Sequence, residues 1–357
     1  MDRLEPAMDS ERPATWKLLL AFAIIYLVWG STFLAIRVGV REVPPFLLAA
    51  MRFLLAGVVL LVWMRVRGAA LPTWKQWSSA TLLAVLIFVL DYGLVFWSEQ
   101  RVPSGITAVM LATIPVFMSL SEILFLGTQR LTVRLAFALL AGIAGVLVLV
   151  SHSFGLGEQP IATSGAIALL IAAVSWSIAS ALSRKLPLPE SKPMSSAAQM
   201  LSGGVLLTLT SGALGEFGEF HPQNVSRAAW IALAYLVVAG SIVAFTAYVW
   251  LIHHESPTRV GTYAYVNPVV AVALGYFFGG ESVGPRTLMG TLLVLVSVIV
   301  ITTTPARKPA SAVPPEANSQ RADRRVVPAP FEHPAAFGAR CPPRLALSAS
   351  NPDSKNK

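Results

Sequence analysis

Apolar runs of bilayer length recur along the chain, separated by short polar breaks. A spanning helix needs about 20 predominantly apolar residues. Ten runs meet that requirement, at roughly 16–38, 46–64, 77–97, 104–126, 131–150, 162–183, 195–214, 228–250, 259–279 and 286–303. The pattern predicts an all-α polytopic membrane protein with ten transmembrane helices. The first run is too long for the core of a secretory signal, and no small-residue cleavage site follows it, so it is read as a retained span. Proline placement supports the same segmentation. Of the fifteen prolines before residue 305, only Pro115 and Pro268 fall well inside a predicted span. An interior proline leaves a carbonyl without its helical partner, and lipid does not supply one. Two readings of this pair stand: helix breaks that line a cavity and take part in gating, and kinks that only serve packing.

Composition narrows the class. The chain is 55% hydrophobic and 13% charged, with a mean hydropathy of +0.66. A soluble domain carries about 25% charged residues, so an ordinary soluble enzyme is excluded, as is disorder over most of the length. The net charge of +9 would suggest nucleic acid only if the basic residues formed one face. They lie instead in loops between apolar runs, which predicts no nucleic-acid partner and points to topology. Fourteen Lys/Arg near span ends lie on the side shared by both termini, against five on the other: Arg37, Arg41, Arg101, Arg227 and Arg286. That bias predicts cytoplasmic termini. Residues 1–15 read as a cytoplasmic arm. The tail, 304–357, is Pro-rich and basic and reads as disordered. Its basic residues suit weak attraction to anionic lipid, or simple solubilisation. The single cysteine, Cys341, allows no disulfide framework and no Cys-based metal site.

The two halves align by hand. Trp29 and Arg37 match Trp176 and Arg184 at an offset of 147, and Ala49-Ala50 match Ala197-Ala198 at 148. Trp97, Pro115 and Gly127 match Trp250, Pro268 and Gly280 at 153. Their common order predicts a duplication, with repeats at 16–150 and 162–303. Each repeat holds five spans, an odd number, so the second enters the membrane from the opposite side. Two inverted five-helix repeats are a transporter architecture, with the substrate site near the midplane between halves.

The residues then become recognisable. Leu27-Val28-Trp29-Gly30-Ser31-Thr32-Phe33, with Pro44-Pro45 and Met51-Arg52-Phe53, resembles the first repeat of an EamA-type protein of the drug/metabolite transporter superfamily. Val102-Pro103-Ser104-Gly105-Ile106-Thr107-Ala108 into Pro115 is similar to its third-to-fourth helix junction. Ser175-Trp176-Ser177, Ser256-Pro257, Tyr263-Ala264-Tyr265-Val266-Asn267-Pro268 and Gly279-Gly280-Glu281 carry the likeness through the second half. The pattern is nearest to the YedA-like group of that family and covers about residues 16–303. The resemblance implies a multi-pass inner-membrane protein and export of metabolites, amino acids or amphipathic drugs through a central cavity.

Ionisable groups inside a span cost at least about 2.5 kcal/mol at mid-bilayer, so they face a cavity or a partner. Arg52 and Asp91 each lie about six residues from the outer end of a span, roughly 9–10 Å deep. A pair between them would remove the isolated-charge cost. It reads either as a fixed ion pair or as a site where Asp91 exchanges its partner for a proton or a cationic substrate. Glu99 reads either as an interfacial charge with water access or as a second proton-coupling candidate. Glu122 is a turn from the inner end of its span and reads as structural. His253 and His254 point to different helix faces without a third ligand, so no metal is expected, and a proton relay is the alternative role. Trp29, Tyr92, Trp176, Tyr248, Tyr263 and Tyr265 are candidates to stack on substrate. Trp97 and Trp250 read as an interfacial belt. Asn267, just before Pro268, is the polar candidate, since its amide reaches a freed carbonyl or the substrate.

Small residues at four-residue spacing (Ala138 and Gly142, Ala141 and Gly145, then Ala271, Gly275 and Gly279) predict close helix contacts. Monomer and homodimer both remain open. The sequence holds no His-Glu-x-x-His, no P-loop lysine motif and no Ser/His/Asp set, so neither catalysis nor a cofactor is expected. The leading reading is a secondary transporter exporting a small organic solute by alternating access. A facilitative or uptake carrier is the alternative, and a membrane-embedded sensor a more distant one.

Overall fold

The computed structural model describes residues 14–121, 123, 131–150, 162–183, 185–255, 260 and 262–303. Glu122, Arg184, Gly127, the start of the arm and the tail with Cys341 lie outside them. Among the described residues every regular element is helical. We label the main helices α1 (Thr15–Gly39), α2 (Pro45–Val66), α3 (Trp74–Glu99), α4 (Ser104–Leu111 and Ile114–Ser121), α5 (Val133–Val150) and α6 (Thr163–Ser183). They continue with α7 (Lys192–Ala213), α8 (Arg227–Tyr235, Leu236–Val243 and Ala244–His254), α9 (Tyr263–Phe278) and α10 (Pro285–Thr302). Six of these, α1, α2, α3, α6, α8 and α10, are long and apolar enough to cross a membrane. The shorter α4, α5 and α9 are also apolar, whereas α7 carries Ser, Thr and Gln among its apolar residues.

Helix starts follow local chemistry. Pro45 and Pro285 open α2 and α10, where a missing N–H is no loss. A capping box opens α3: Gln76 N donates to Thr73 Oγ1, and Thr73 N donates to Gln76 Oε1.

The outer surface differs from that of a soluble bundle. Leu19, Phe137, Leu140, Leu209 and Phe277 point outward, while small residues join large apolar side chains such as Phe53 and Leu48 on the buried faces. Lipid is as apolar as leucine, so helices associate through close backbone approach instead. A Cβ on Gly145 of α5 would lie 2.9 Å from the Gly290 carbonyl of α10. The small-residue stripe predicted on the fifth span therefore faces α10 within the chain.

Two breaks in regular geometry matter for function. In α3, Val85–Gly93 winds as a π-helix, and in α8, Leu236–Val243 does the same. Each wide turn shifts the following residues around the helix axis. Prolines supply the second kind of break. At Pro115, α4 is interrupted between Leu111 and Ile114, and Thr113 Oγ1 donates to the Met110 carbonyl. At Pro268, α9 stays continuous, and the ring removes the N–H that would serve the Ala264 carbonyl.

Candidate functional site

The helices enclose a central cavity of about 450 Å³ lined from both halves of the sequence. Its walls are chiefly apolar, with two groups of aromatic rings. Trp29 Nε1 donates to the Gly240 carbonyl at 3.1 Å, which fixes the indole where α8 winds as a π-helix. The Trp29 ring meets Tyr248 at 5.3 Å and Tyr263 at 5.1 Å, and those two tyrosines lie 6.0 Å apart. A second group joins Phe53 to Phe88 and to Tyr92, each at 4.7 Å, with Trp176 at 6.1 Å from Tyr92. Edge-to-face and tilted pairs of this kind hold the rings in place, with about 0.5–1.5 kcal/mol each beyond their burial.

Polar groups interrupt these walls, among them Arg52, Asp91 and Asn267. Arg52 is buried, with its guanidinium 4.8 Å from the Phe53 ring centroid and 5.5 Å from that of Tyr92. Its Nε donates to Ser241 Oγ at 2.9 Å, and Ser241 Oγ donates in turn to the Leu236 carbonyl at 2.9 Å. Arg52 Nη1 has no hydrogen-bond partner among the described residues, and neither do Asp91 Oδ1 and Asn267 Oδ1. The expected ion pair between Arg52 and Asp91 is not formed. Equal depth does not bring the two together, because Asp91 sits in the π-helical stretch of α3 while Arg52 is turned to Ser241 on α8. The cavity thus presents a cation and a carboxylate that are not joined to each other.

At one end of the bundle, carboxylates are seated on helix starts. Glu281 Oε1 accepts from Ser104 N at 2.6 Å and Ser104 Oγ at 2.7 Å, and Oε2 accepts from Gly105 N at 3.0 Å. Glu216 accepts from Phe46 N at 3.3 Å and Leu47 N at 2.9 Å. Glu42 accepts from Ser226 N at 2.5 Å and Ser226 Oγ at 2.8 Å. These acids satisfy the unpaired first-turn N–H groups of α4, α2 and α8 and oppose the positive ends of their dipoles. The two hydrogen bonds from Ser226 hold the Glu42 carboxyl below the usual glutamate range, the backbone bond first. Local geometry aims Glu281. Gly280 takes φ +65, a left-handed turn that glycine tolerates. Gly275 leaves room, since a Cβ there would strike the Glu281 carboxylate. Arg37 completes the cluster: Nε lies 3.4 Å from Glu281 Oε1, and Nη1 donates to the Glu99 and Val102 carbonyls at 3.0 and 2.6 Å.

The chain is similar to known proteins. The model of the EamA-like transporter family matches the chain twice, over residues 15–151 and 163–303. The chain belongs to the EamA-like transporter family. Its EamA relatives include the Escherichia coli (strain K12) protein named uncharacterized inner membrane transporter YedA. That protein is 37% identical over 285 residues, spanning 79% of this chain and 89% of the relative. The Bacillus subtilis (strain 168) uncharacterized transporter YoaV is 24% identical over 298 residues, 82% of this chain and 99% of that one. The Arabidopsis thaliana WAT1-related protein At3g02690, chloroplastic, is 26% identical over 281 residues, 77% and 67% respectively. A crystal structure 22% identical in sequence superposes with a TM-score of 0.53 over 80% of this chain and 96% of that chain, a likeness of fold. As an EamA-family protein with helices of spanning length, the chain is a membrane transporter.

Within this EamA fold, Trp29, Arg52, Asp91, Tyr92, Trp176, Tyr248, Tyr263 and Asn267 all line the cavity, with Pro115 and Pro268. Tyr265 does not line it. Two residues beyond Tyr263, it is turned away and packs beside the cluster that includes Val95 and Leu169. Glu99 is not an interfacial group with access to water. It is 1% exposed beneath Arg37, with both carboxylate oxygens unpartnered among the described residues. Trp97 lies 3.8 Å from the Arg101 guanidinium, and Trp250 stacks on His254 at 4.2 Å; the side chain of His253 lies outside the described residues. Ser241, Glu216 and Glu42 carried no sequence signal, because serine and loop glutamates are too common to stand out. Glu281 appeared only as the end of a family motif, with no role.

Proposed function

We propose that this protein is a secondary transporter that moves small organic solutes through the central cavity by alternating access. Its fold on this reading is ten spans in two inverted five-helix repeats, with both termini cytoplasmic in the inner membrane and net export of substrate. The observation that carries the reading is a cavity lined by both halves, in a bundle whose halves are also joined by carboxylate contacts at helix starts. Glu281 and Glu216 reach from the second half to α4 and α2, and Glu42 reaches from the first half to α8. Breaking and remaking such contacts is what a rocking motion of one repeat against the other requires. Further support comes from the paired π-helical stretches of α3 and α8, from Pro115 and Pro268 facing the same space, and from the family model matching each half separately.

Asp91 is the proposed proton-coupling residue within the cavity. It is a buried carboxylate free of the neighbouring arginine, so its charge is open to exchange with a proton as substrate binds. Glu99, buried beneath Arg37, is the second candidate.

The test begins with a tolerance screen of overexpressing cells against amino acids, metabolites and drugs. Uptake of the screened compound into inverted membrane vesicles is then measured with and without an imposed proton gradient. Trp29→Ala and Asn267→Ala are expected to lower transport about tenfold or more in folded protein, and Asp91→Asn to abolish its dependence on the gradient. Wild-type activity in all three variants would reject the site. Transport that equilibrates the compound and ignores the gradient would favour a facilitative carrier.

A further inference from the structure

A second hollow lies on the outer surface of the bundle, a groove of about 590 Å³ between α1, α2 and α8. Along most of its length the walls are apolar, with Leu20 and Ile24 on α1, Val59 and Leu60 on α2, and Ile242 and Val243 on α8. From Trp16 to Ile24, and from Ile242 to Trp250, it follows eight helical steps, about 12 Å. One end differs. Trp16, Trp63 and Trp250 gather there with Lys17. The Arg67 guanidinium lies 4.7 Å from the Trp63 ring centroid, and Lys17 Nζ lies 5.7 Å from that of Trp16. Lys17 and Arg67 are both exposed. Tryptophan and basic residues at one end of apolar helices mark the level of the lipid headgroups.

We propose that this groove is a binding site for a phospholipid with an anionic headgroup. One acyl chain lies along the apolar walls toward Ile24 and Ile242, and the phosphate sits at the tryptophan end between Lys17 and Arg67. The two parts of the site contribute differently. The apolar walls give little selectivity, since bulk lipid is equally apolar. Headgroup selectivity comes from the two cations, in the way basic pockets between spanning helices hold anionic headgroups. The groove also has a structural consequence. Thr246, Ala247 and Trp250 face it, while Phe245 and Tyr248 on the same helix line the substrate cavity. The bound lipid therefore braces the outer side of α8, the helix that supplies Ser241 to Arg52.

The test uses the full-length protein in phosphatidylcholine vesicles containing a minor fraction of lipid with brominated acyl chains, which quench nearby tryptophan fluorescence. Brominated phosphatidylglycerol is compared with brominated phosphatidylcholine at the same fraction. Quenching is expected at about tenfold lower fractions for the anionic lipid. The Lys17→Gln/Arg67→Gln double variant is expected to lose that preference. Thr246→Phe, which fills the groove from an exposed position, is expected to reduce quenching by both lipids. Equal quenching by the two lipids in wild-type protein overturns the proposal, as does a preference that survives the double variant. Quenching that falls as protein density rises, with dimers captured by cross-linking across α1 and α8, also overturns it and assigns the groove to a second copy of the chain.

Discussion

Arg52 is held where an uncompensated charge would be costly, against the rings of Phe53 and Tyr92 and hydrogen-bonded to one hydroxyl from the other half of the chain. Ser241 Oγ accepts from Nε and donates its own hydrogen bond to the Leu236 carbonyl, five residues back along the π-helical stretch. Ser241→Ala leaves a buried guanidinium short of a partner, a loss of about 1–3 kcal/mol. The expected result is a lower unfolding temperature in detergent and weaker apparent substrate affinity, both restored by Ser241→Thr. An unchanged unfolding temperature would show that Arg52 finds another acceptor. Several cavity residues were legible from the sequence because each is rare in its setting: an arginine and an aspartate inside apolar runs, and an asparagine before an interior proline. Their partners were not legible. Counting residues from a span end gives depth, whereas contact also depends on direction around the helix. The wide turn in α3 alters that direction without a proline to announce it. The same reasoning separates Tyr263, on the cavity, from Tyr265, two positions further round.

At the scale of elements, the recurring device is a loop carboxylate seated on the first turn of a helix from the opposite half. Spans, proline breaks and small-residue stripes were readable because each has a local period or a local cost. The carboxylate seats were not, since a glutamate in a loop is unremarkable until the fold brings a helix start to it. Glu42 gives this device a pH signature. Its carboxyl is held below the usual range by Ser226, so the contact stabilises the folded state at pH values above the unfolded-state value. That contribution is lost as the pH falls through the lowered, folded-state value. Glu42→Gln is therefore expected to lower the unfolding temperature at neutral pH, with the difference from wild type vanishing under acid conditions. A difference that is constant across that window would mean the contact does not depend on the charge of Glu42.

For the whole molecule, the outward-facing leucines and phenylalanines follow from the solvent being lipid, and they explain why composition alone placed the chain in a membrane. The seating of Glu216 and Glu281 has a further consequence for how the protein is made. Leu47 and Ser104 are separated from their glutamates by 169 and 177 residues. A ribosome delivers α2 and α4 to the membrane long before either acid exists, so their opening N–H groups wait for water, lipid headgroups or a chaperone. Residues 1–161 expressed alone are expected to be degraded rapidly, and co-expression with residues 162–357 to rescue both fragments. Pulse-chase labelling of the two fragments checks this, and a stable first fragment would show that its helix starts find other partners. Biogenesis thus has a vulnerable interval that closes only when the second half arrives, and quality-control proteases have that interval in which to act.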